Sequence, residues 1–317
     1  MRRGGRAALC VGVLGLAGGL ARADHVGVPD LNPSVGIGCP SVPLAFEEAR
    51  AQFQVHPSFL RPGRITEVSL VANSVGQFTS PDFTVTLAHN PNPMAICAFD
   101  ANLVGPVVVH RGPITWNYAS GGQWVPLRLQ CAFDYNGVDE LVVELRFRGG
   151  AGGPCLLGSA TEPRATWATG PGSYDAPAAT GCNARTGVKL RLTFTEVKLL
   201  GDPPAPGGSQ AIVWNAPFDG GRGYLAAAAL ASAPGIALDC RTIPLALDPL
   251  LVLSLVDPVR FEGFQGALDF RGEANAALHV PPGPLSGVAV HLAFVVPAAG
   301  APSGVRSVSG PQSFTIR

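Results

Sequence analysis

Leu141-Val142-Val143-Glu144-Leu145-Arg146-Phe147-Arg148 places Leu141, Val143, Leu145 and Phe147 at every second position, with Val142, Glu144, Arg146 and Arg148 between them. Successive side chains of a pleated strand point to opposite faces, so this stretch predicts a strand with one apolar face and one polar face. The pattern recurs on both sides of it. Val125, Leu127, Leu129, Cys131 and Phe133 alternate with Pro126, Arg128 and Gln130. Val188, Leu190, Leu192 and Phe194 alternate with Lys189, Arg191, Thr193 and Thr195, and Phe83–Leu87 repeats the period. Apolar-in, polar-out alternation is the mark of antiparallel sheets packed on one side. Asn136-Gly137 sits between two of these strands and supplies the positive φ angles of a tight hairpin.

Further along, Gly201-Asp202-Pro203-Pro204-Ala205-Pro206-Gly207-Gly208 reads as a linker, stiffened by proline and opened by glycine. The alternation resumes after it in Val288, Val290, Leu292, Phe294 and Val296, and in Ala274, Ala276, Leu278 and Val280. The expected fold class is all-β. Two antiparallel β-sandwich domains, jelly-roll or Ig-like, occupy residues 24–198 and 209–317, joined by a Pro/Gly linker at 199–208. Each part exceeds 100 residues, enough for a sandwich core of its own. Ala45–Gln54 is the one short helix expected in the first half. The alanine-rich Leu225–Ala231 is read as a strand from its place among strands, against its helical propensity.

The first residues predict export. Arg2, Arg3 and Arg6 precede an apolar run from Ala7 to Leu20, and Ala21-Arg22-Ala23 offers small residues for cleavage before Asp24. Residues 1–23 are thus expected to be a signal peptide. Cys10 follows Leu9 where a lipoprotein needs a small residue, so a lipid anchor is not expected, and no second long apolar stretch predicts a membrane span. Losing residues 1–23 removes four arginines and no acid, which turns the formal net charge from zero to −4. A mildly acidic chain without basic clusters argues against nucleic acid as a partner. Cys39, Cys97, Cys131, Cys155, Cys182 and Cys240 remain, an even number that favours disulfides in an exported chain. The stretch between Cys155 and Cys182 is rich in Gly, Pro, Ala and Thr and calls for a tether, so that pair is expected. Cys97–Cys131 is the second expected pair, each sharing a face with Phe99 or Phe133. Cys97-Ala98-Phe99-Asp100 and Cys131-Ala132-Phe133-Asp134 echo each other, but their flanks do not match.

Gly63-Arg64-Ile65-Thr66, Asp82 through His89, Gly122-Gln123-Trp124, and Phe133 through Gly137 with Leu141-Val142-Val143-Glu144 together resemble the largely uncharacterised β-sandwich modules of secreted bacterial surface proteins. The second half is similar to a C-terminal module of such proteins through Thr242-Ile243-Pro244-Leu245, Asp248-Pro249-Leu250-Leu251, Gly266-Ala267-Leu268-Asp269 and Leu285-Ser286-Gly287. The resemblance covers most of the mature chain. Its motifs are turns, strand ends and core positions, so it implies a fold and brings no catalytic residues. The cysteines stand outside the pattern.

Signatures of catalysis are missing from the sequence. There is no GxSxG elbow, HExxH pair, P-loop or dinucleotide fingerprint. Glu140 and Glu144 share one face of a strand, the arrangement of a glycosidase carboxylate pair. Arg146 and Arg148 follow them, which favours a solvated outer face. Asp134, Asn136, Asp139 and Glu140 offer the oxygen donors calcium uses, but the spacing is not that of an EF-hand and Asn-Gly explains itself as a turn. His279 and His291 come near each other if residues 281–289 form a hairpin, but zinc needs a third ligand. No metal or cofactor is expected. Trp124, with Trp116 and Tyr118 on a neighbouring segment, forms a candidate aromatic platform for stacking on sugar rings. The expected function is that of a non-catalytic structural or binding protein of the cell envelope or extracellular space, its partners extracellular glycans or envelope proteins. A carbohydrate-binding module using exposed aromatics is the alternative, and a hydrolase with an unrecognised site is the third reading.

Overall fold

The computed structural model describes residues 25–28, 43–92, 97–153, 156, 158–159, 164–183 and 187–317. The expected signal peptide, Cys39 and Cys155 lie outside the described residues. The first half contributes β1 (His25–Val28), β2 (Glu48–Val55), β3 (Gly63–Val71), β4 (Gly76–Asn90), β5 (Val104–Tyr118), β6 (Trp124–Tyr135) and β7 (Glu140–Arg148). Shorter strands follow: β8 (Gly158–Ser159), β9 (Arg164–Thr169), β10 (Gly181–Asn183), β11 (Gly187–Val188) and β12 (Leu190–Phe194). They form a four-stranded sheet in the order β1-β12-β3-β6 and a six-stranded sheet in the order β10-β9-β2-β7-β4-β5. Every pairing in both is antiparallel. One apolar core lies between the sheets, built from Ile65, Val68, Leu70 and Leu192 on one side and Phe53, Phe83, Val85, Leu145 and Phe147 on the other.

The helix expected at Ala45–Gln54 does not form: from Glu48 onward the segment is the strand β2. Its Ala, Glu, Arg and Gln content suits a helix, but Ala49, Ala51, Phe53 and Val55 all face the core. Pairing with β7 on one side and β9 on the other outweighs local propensity.

The second half runs β13 (Glu196–Leu200), β14 (Ser209–Asn215), β15 (Gly223–Ala229), β16 (Ile236–Ala237), β17 (Thr242–Ile243), α1 (Pro249–Val256), β18 (Phe261–Glu262), β19 (Gln265–Ala267), β20 (Glu273–His279), β21 (Ala289–Pro297), β22 (Val305–Val308) and β23 (Gln312–Thr315). The sheet β13-β14-β20-β18 faces the sheet β19-β15-β21-β22, in which β23 also pairs with β21. Trp214, Phe264, Leu292 and Phe294 fill the core between them. The alanine-rich segment is the strand β15, as its setting implied. Asp248 caps α1 by accepting from the Leu251 amide at 3.0 Å, with Pro249 opening the first turn.

The expected linker at 199–208 is corrected. β13 pairs with β14, Leu200 opposite Ala211, so residues 201–208 are the loop of a hairpin within one sheet. Gly201 and Gly207 have φ of 76° and 83°, which L side chains rarely adopt and which let the loop turn back. Proline and glycine marked a break in the strands but not the kind of break. The chain passes from the first half to the second at Thr195, between β12 and β13. The halves are joined there and by side chains. Asp219, 1% exposed, accepts from Arg128 of β6 at 2.8 Å and from Arg306 at 2.7 Å. Arg64 of β3 donates to the carbonyls of Thr242 and Ser309 at 3.1 and 3.0 Å. Cys131 is bonded to Cys240, with their Cα atoms 5.6 Å apart.

Candidate functional site

The outward face of the six-stranded sheet is largely polar, and its centre is buried. Register sets its rows. Gln52 lies opposite Thr166 on one side and Glu144 on the other, and Glu144 lies opposite Thr86. Arg50 lies opposite Arg146, and Arg146 opposite Thr84. Arg50, Gln52 and Glu144 are at most 2% exposed. The Glu144 carboxylate accepts from Arg50 Nε at 2.9 Å, Gln52 Nε2 at 2.7 Å and Arg146 Nε at 2.6 Å. Arg50 also donates to Asp100 at 2.5 Å and to the Ala176 carbonyl at 2.8 Å. That hydrogen bond from Arg50 holds the Asp100 carboxyl below the usual carboxylate range. One row along, Arg164 is ion-paired with Glu140, which is 3% exposed. The solvated face expected for Glu140 and Glu144 is therefore overturned: both are at most 3% exposed, and two loops seat against Arg50 and Gln52 beside Glu144.

Those loops are residues 97–103 and 170–180. Gln52 Nε2 donates to the Phe99 carbonyl at 2.9 Å, and Asn102 Nδ2 donates to Gln52 Oε1 at 2.9 Å, which seats the first loop. The Ala179 amide donates to the Cys97 carbonyl at 2.7 Å, and Cys97 is bonded to Cys182 of β10. Neither expected pairing forms, since Cys182 joins Cys97 and Cys131 joins Cys240. The reason for Cys131 is a bulge. β3 pairs Ile65 with Phe133 and then Glu67 with Arg128, so residues 129–132 leave the ladder and Cys131 turns to the second half. The Cys-Ala-Phe-Asp echo has a structural content after all. In both copies the cysteine is in a disulfide, the phenylalanine is buried and the aspartate pairs with an arginine, Asp100 with Arg50 and Asp134 with Arg64.

Beside the first loop the face opens into a groove of about 500 Å³, lined by Thr84, Thr86, Arg111, Glu144, Arg146, Tyr174 and further residues of β5 and the two loops. The Arg111 guanidinium is exposed and has no ion-pair or hydrogen-bond partner among the described residues. Tyr174 hydroxyl and Thr84 Oγ1 are 3.4 Å apart, long for an O–H···O bond. Arg148 stacks over the Tyr174 ring at 3.8 Å.

The aromatic platform does not exist. Trp116 and Tyr118 are 4% and 1% exposed and belong to the core, because their side of β5 turns inward. Burial raises the Tyr118 phenol above its ordinary range. Trp124 is half-buried, with the Arg191 guanidinium 5.4 Å from its ring. Among the possible calcium donors, Asp134 takes two hydrogen bonds from Arg64, while Asn136 Oδ1 accepts from the Val138 and Asp139 amides. His279 on β20 and His291 on β21 stand in different sheets, and His279 pairs with Glu262 at 3.3 Å. No group of three His, Cys, Asp or Glu side chains stands together among the described residues.

No family model and no curated protein matches this chain. A solved β-glucuronidase of Faecalibacterium prausnitzii is similar over 86% of this chain and 38% of its own, at 11% identity and a TM-score of 0.19. At that TM-score the likeness says nothing of the fold, and the chain spans well under half of that enzyme.

Proposed function

We propose that this chain is an exported, non-catalytic protein of the cell envelope or extracellular space, and that the groove on its six-stranded sheet is a binding face. The observation that carries the reading is the state of the two carboxylates. Glu144 is held by Arg50, Gln52 and Arg146, and Glu140 by Arg164. A glycosidase needs one carboxyl free to protonate a leaving group and another open to the sugar. Here both are ion-paired with arginines and at most 3% exposed. Two disulfides fit an oxidising compartment. Among the described residues no helix is long and apolar enough to cross a membrane. The test is incubation of the purified chain with generic ester, peptide and glycoside substrates. No turnover is expected. Turnover that disappears in Glu144→Gln while the melting temperature is kept would overturn the proposal.

A further inference from the structure

We infer that the groove takes a neutral, hydroxyl-rich ligand, the end of a glycan chain, and holds it by ions and hydroxyls instead of an aromatic platform. This rests on the groove being a binding face. The first support is charge. The lining residues and the charges they belong with comprise Arg50, Arg111, Arg146 and Arg148 against Glu48, Asp82, Asp100, Glu144 and Asp175. Cations and anions nearly balance, so the groove has no large excess of one sign to attract a polyanion or a polycation.

The second support is unused bonding capacity. The Arg111 guanidinium is without a partner among the described residues, and it lies opposite Thr84 in the sheet. The hydroxyls of Thr84 and Tyr174 stand too far apart for a strong bond. The Asp100 and Asp175 side chains are each 76% exposed, with lone pairs open to the groove's solvent. Sugar hydroxyls both donate and accept, and neighbouring hydroxyls match a guanidinium on one side and a carboxylate on the other. Leu103, Pro106 and Val108 supply apolar lining for the C–H face of a ring. The same face continues in polar atoms that lack a partner among the described residues: Gln54 Nε2 and Oε1, Asn90 Nδ2, Glu140 Oε2 and Thr166 Oγ1, all on residues at most 3% exposed. Buried polar atoms of this kind are satisfied by water or by ligand hydroxyls.

The third support is rigidity. Cys97–Cys182 and the hydrogen bonds to Gln52 fix the wall of the groove before any ligand arrives, which lowers the ordering cost of binding. Tyr174 contributes its hydroxyl more than its ring, since Arg148 already covers one ring face.

The test is binding of the full chain to immobilised neutral oligosaccharides of the glucan, mannan, xylan and galactan types, with polygalacturonate and polylysine alongside. The expected result is retention of a neutral oligosaccharide that is insensitive to added salt. It should weaken by about tenfold or more in Arg111→Ala and in Thr84→Val. Arg111 is exposed, so Arg111→Ala should keep the wild-type melting temperature even if Thr84→Val does not. Salt-sensitive retention of polygalacturonate that is lost in Arg111→Ala would keep the groove as a binding face and overturn the ligand class. Retention of no neutral oligosaccharide, or retention unchanged in Arg111→Ala, would overturn the inference. Cleavage of the oligosaccharide during the assay would instead strike at the non-catalytic reading on which it rests.

Discussion

On its inward side β7 carries Leu141, Val143, Leu145 and Phe147, none more than 1% exposed. On its outward side Glu140, Val142 and Glu144 are at most 3% exposed, while Arg146 and Arg148 further along rise to 24% and 50%. The first half of the strand thus buries a polar face as fully as its apolar one. Inside, closure follows from apolar surface leaving water. Outside, each charge taken from water must find a partner, and the partners come from β2, from β9 and from loops at residues 97–103 and 170–180. A dry polar face is therefore a property of the whole chain, whereas a dry apolar face is a property of the strand.

If that contrast is right, the outer cover depends on its strap. Cys97→Ser opens a loop between positions 85 residues apart, worth about 4–5 kcal/mol in the chain-entropy model. Guanidinium unfolding of the variant should show a loss of that order. A loss below about 1 kcal/mol would mean that the loops hold the face without the bridge. Nearly as large is the effect expected at Trp116, in the core, where Trp116→Ala should lose about 3–5 kcal/mol. Trp124→Ala, on the outer face of the other sheet, should lose little beyond its contact with Arg191, about 1 kcal/mol. Equal losses at the two tryptophans would erase the distinction between the faces.

The four-stranded sheet offers a gentler version of the comparison. Glu67 is 2% exposed on the outer face of β3, accepts from Ser69 Oγ at 2.8 Å and lies 3.8 Å from Arg191. Burial outweighs these partners and pushes its carboxyl up to about 7 from 4.5. A carboxyl with a raised folded-state pKa binds its proton more tightly when folded. The stability it adds is full below about 4.5, declines as pH rises, and is gone above about 7. Unfolding free energy measured between these limits should fall by up to roughly 3 kcal/mol, and Glu67→Gln should flatten the slope. A slope unchanged in Glu67→Gln would assign it to other groups.

The alternation in residues 141–148 identifies the strand, its two faces and its antiparallel setting, and the sequence alone is enough for these because the period is local. It does not identify the Arg50–Glu144 pair. Arg50 lies in a segment whose composition favours a helix, and its partner is 94 residues away. Trp116 and Tyr118 alternate with Thr115 and Asn117 after Ile114, a local period that marks one face; only the pairing of Trp116 opposite Phe78 shows that this face is the core. Cys131 escapes its alternation through the bulge at residues 129–132. The proline and glycine run at 201–208 marks a reversal of the chain, and only the partner strand shows that the reversal lies within a sheet. What the sequence hides in each case is the cross-strand partner.

The most direct measurement is a double-mutant cycle on Arg50 and Glu144, read by equilibrium unfolding. A covered face predicts that Arg50→Met and Glu144→Leu each lose about 3 kcal/mol or more, because each removes a partner from a buried charge. The double variant should lose no more than either alone, a coupling of about 3 kcal/mol or larger. Single losses below about 1 kcal/mol that add within about 0.5 kcal/mol would put both side chains in water and contradict the account.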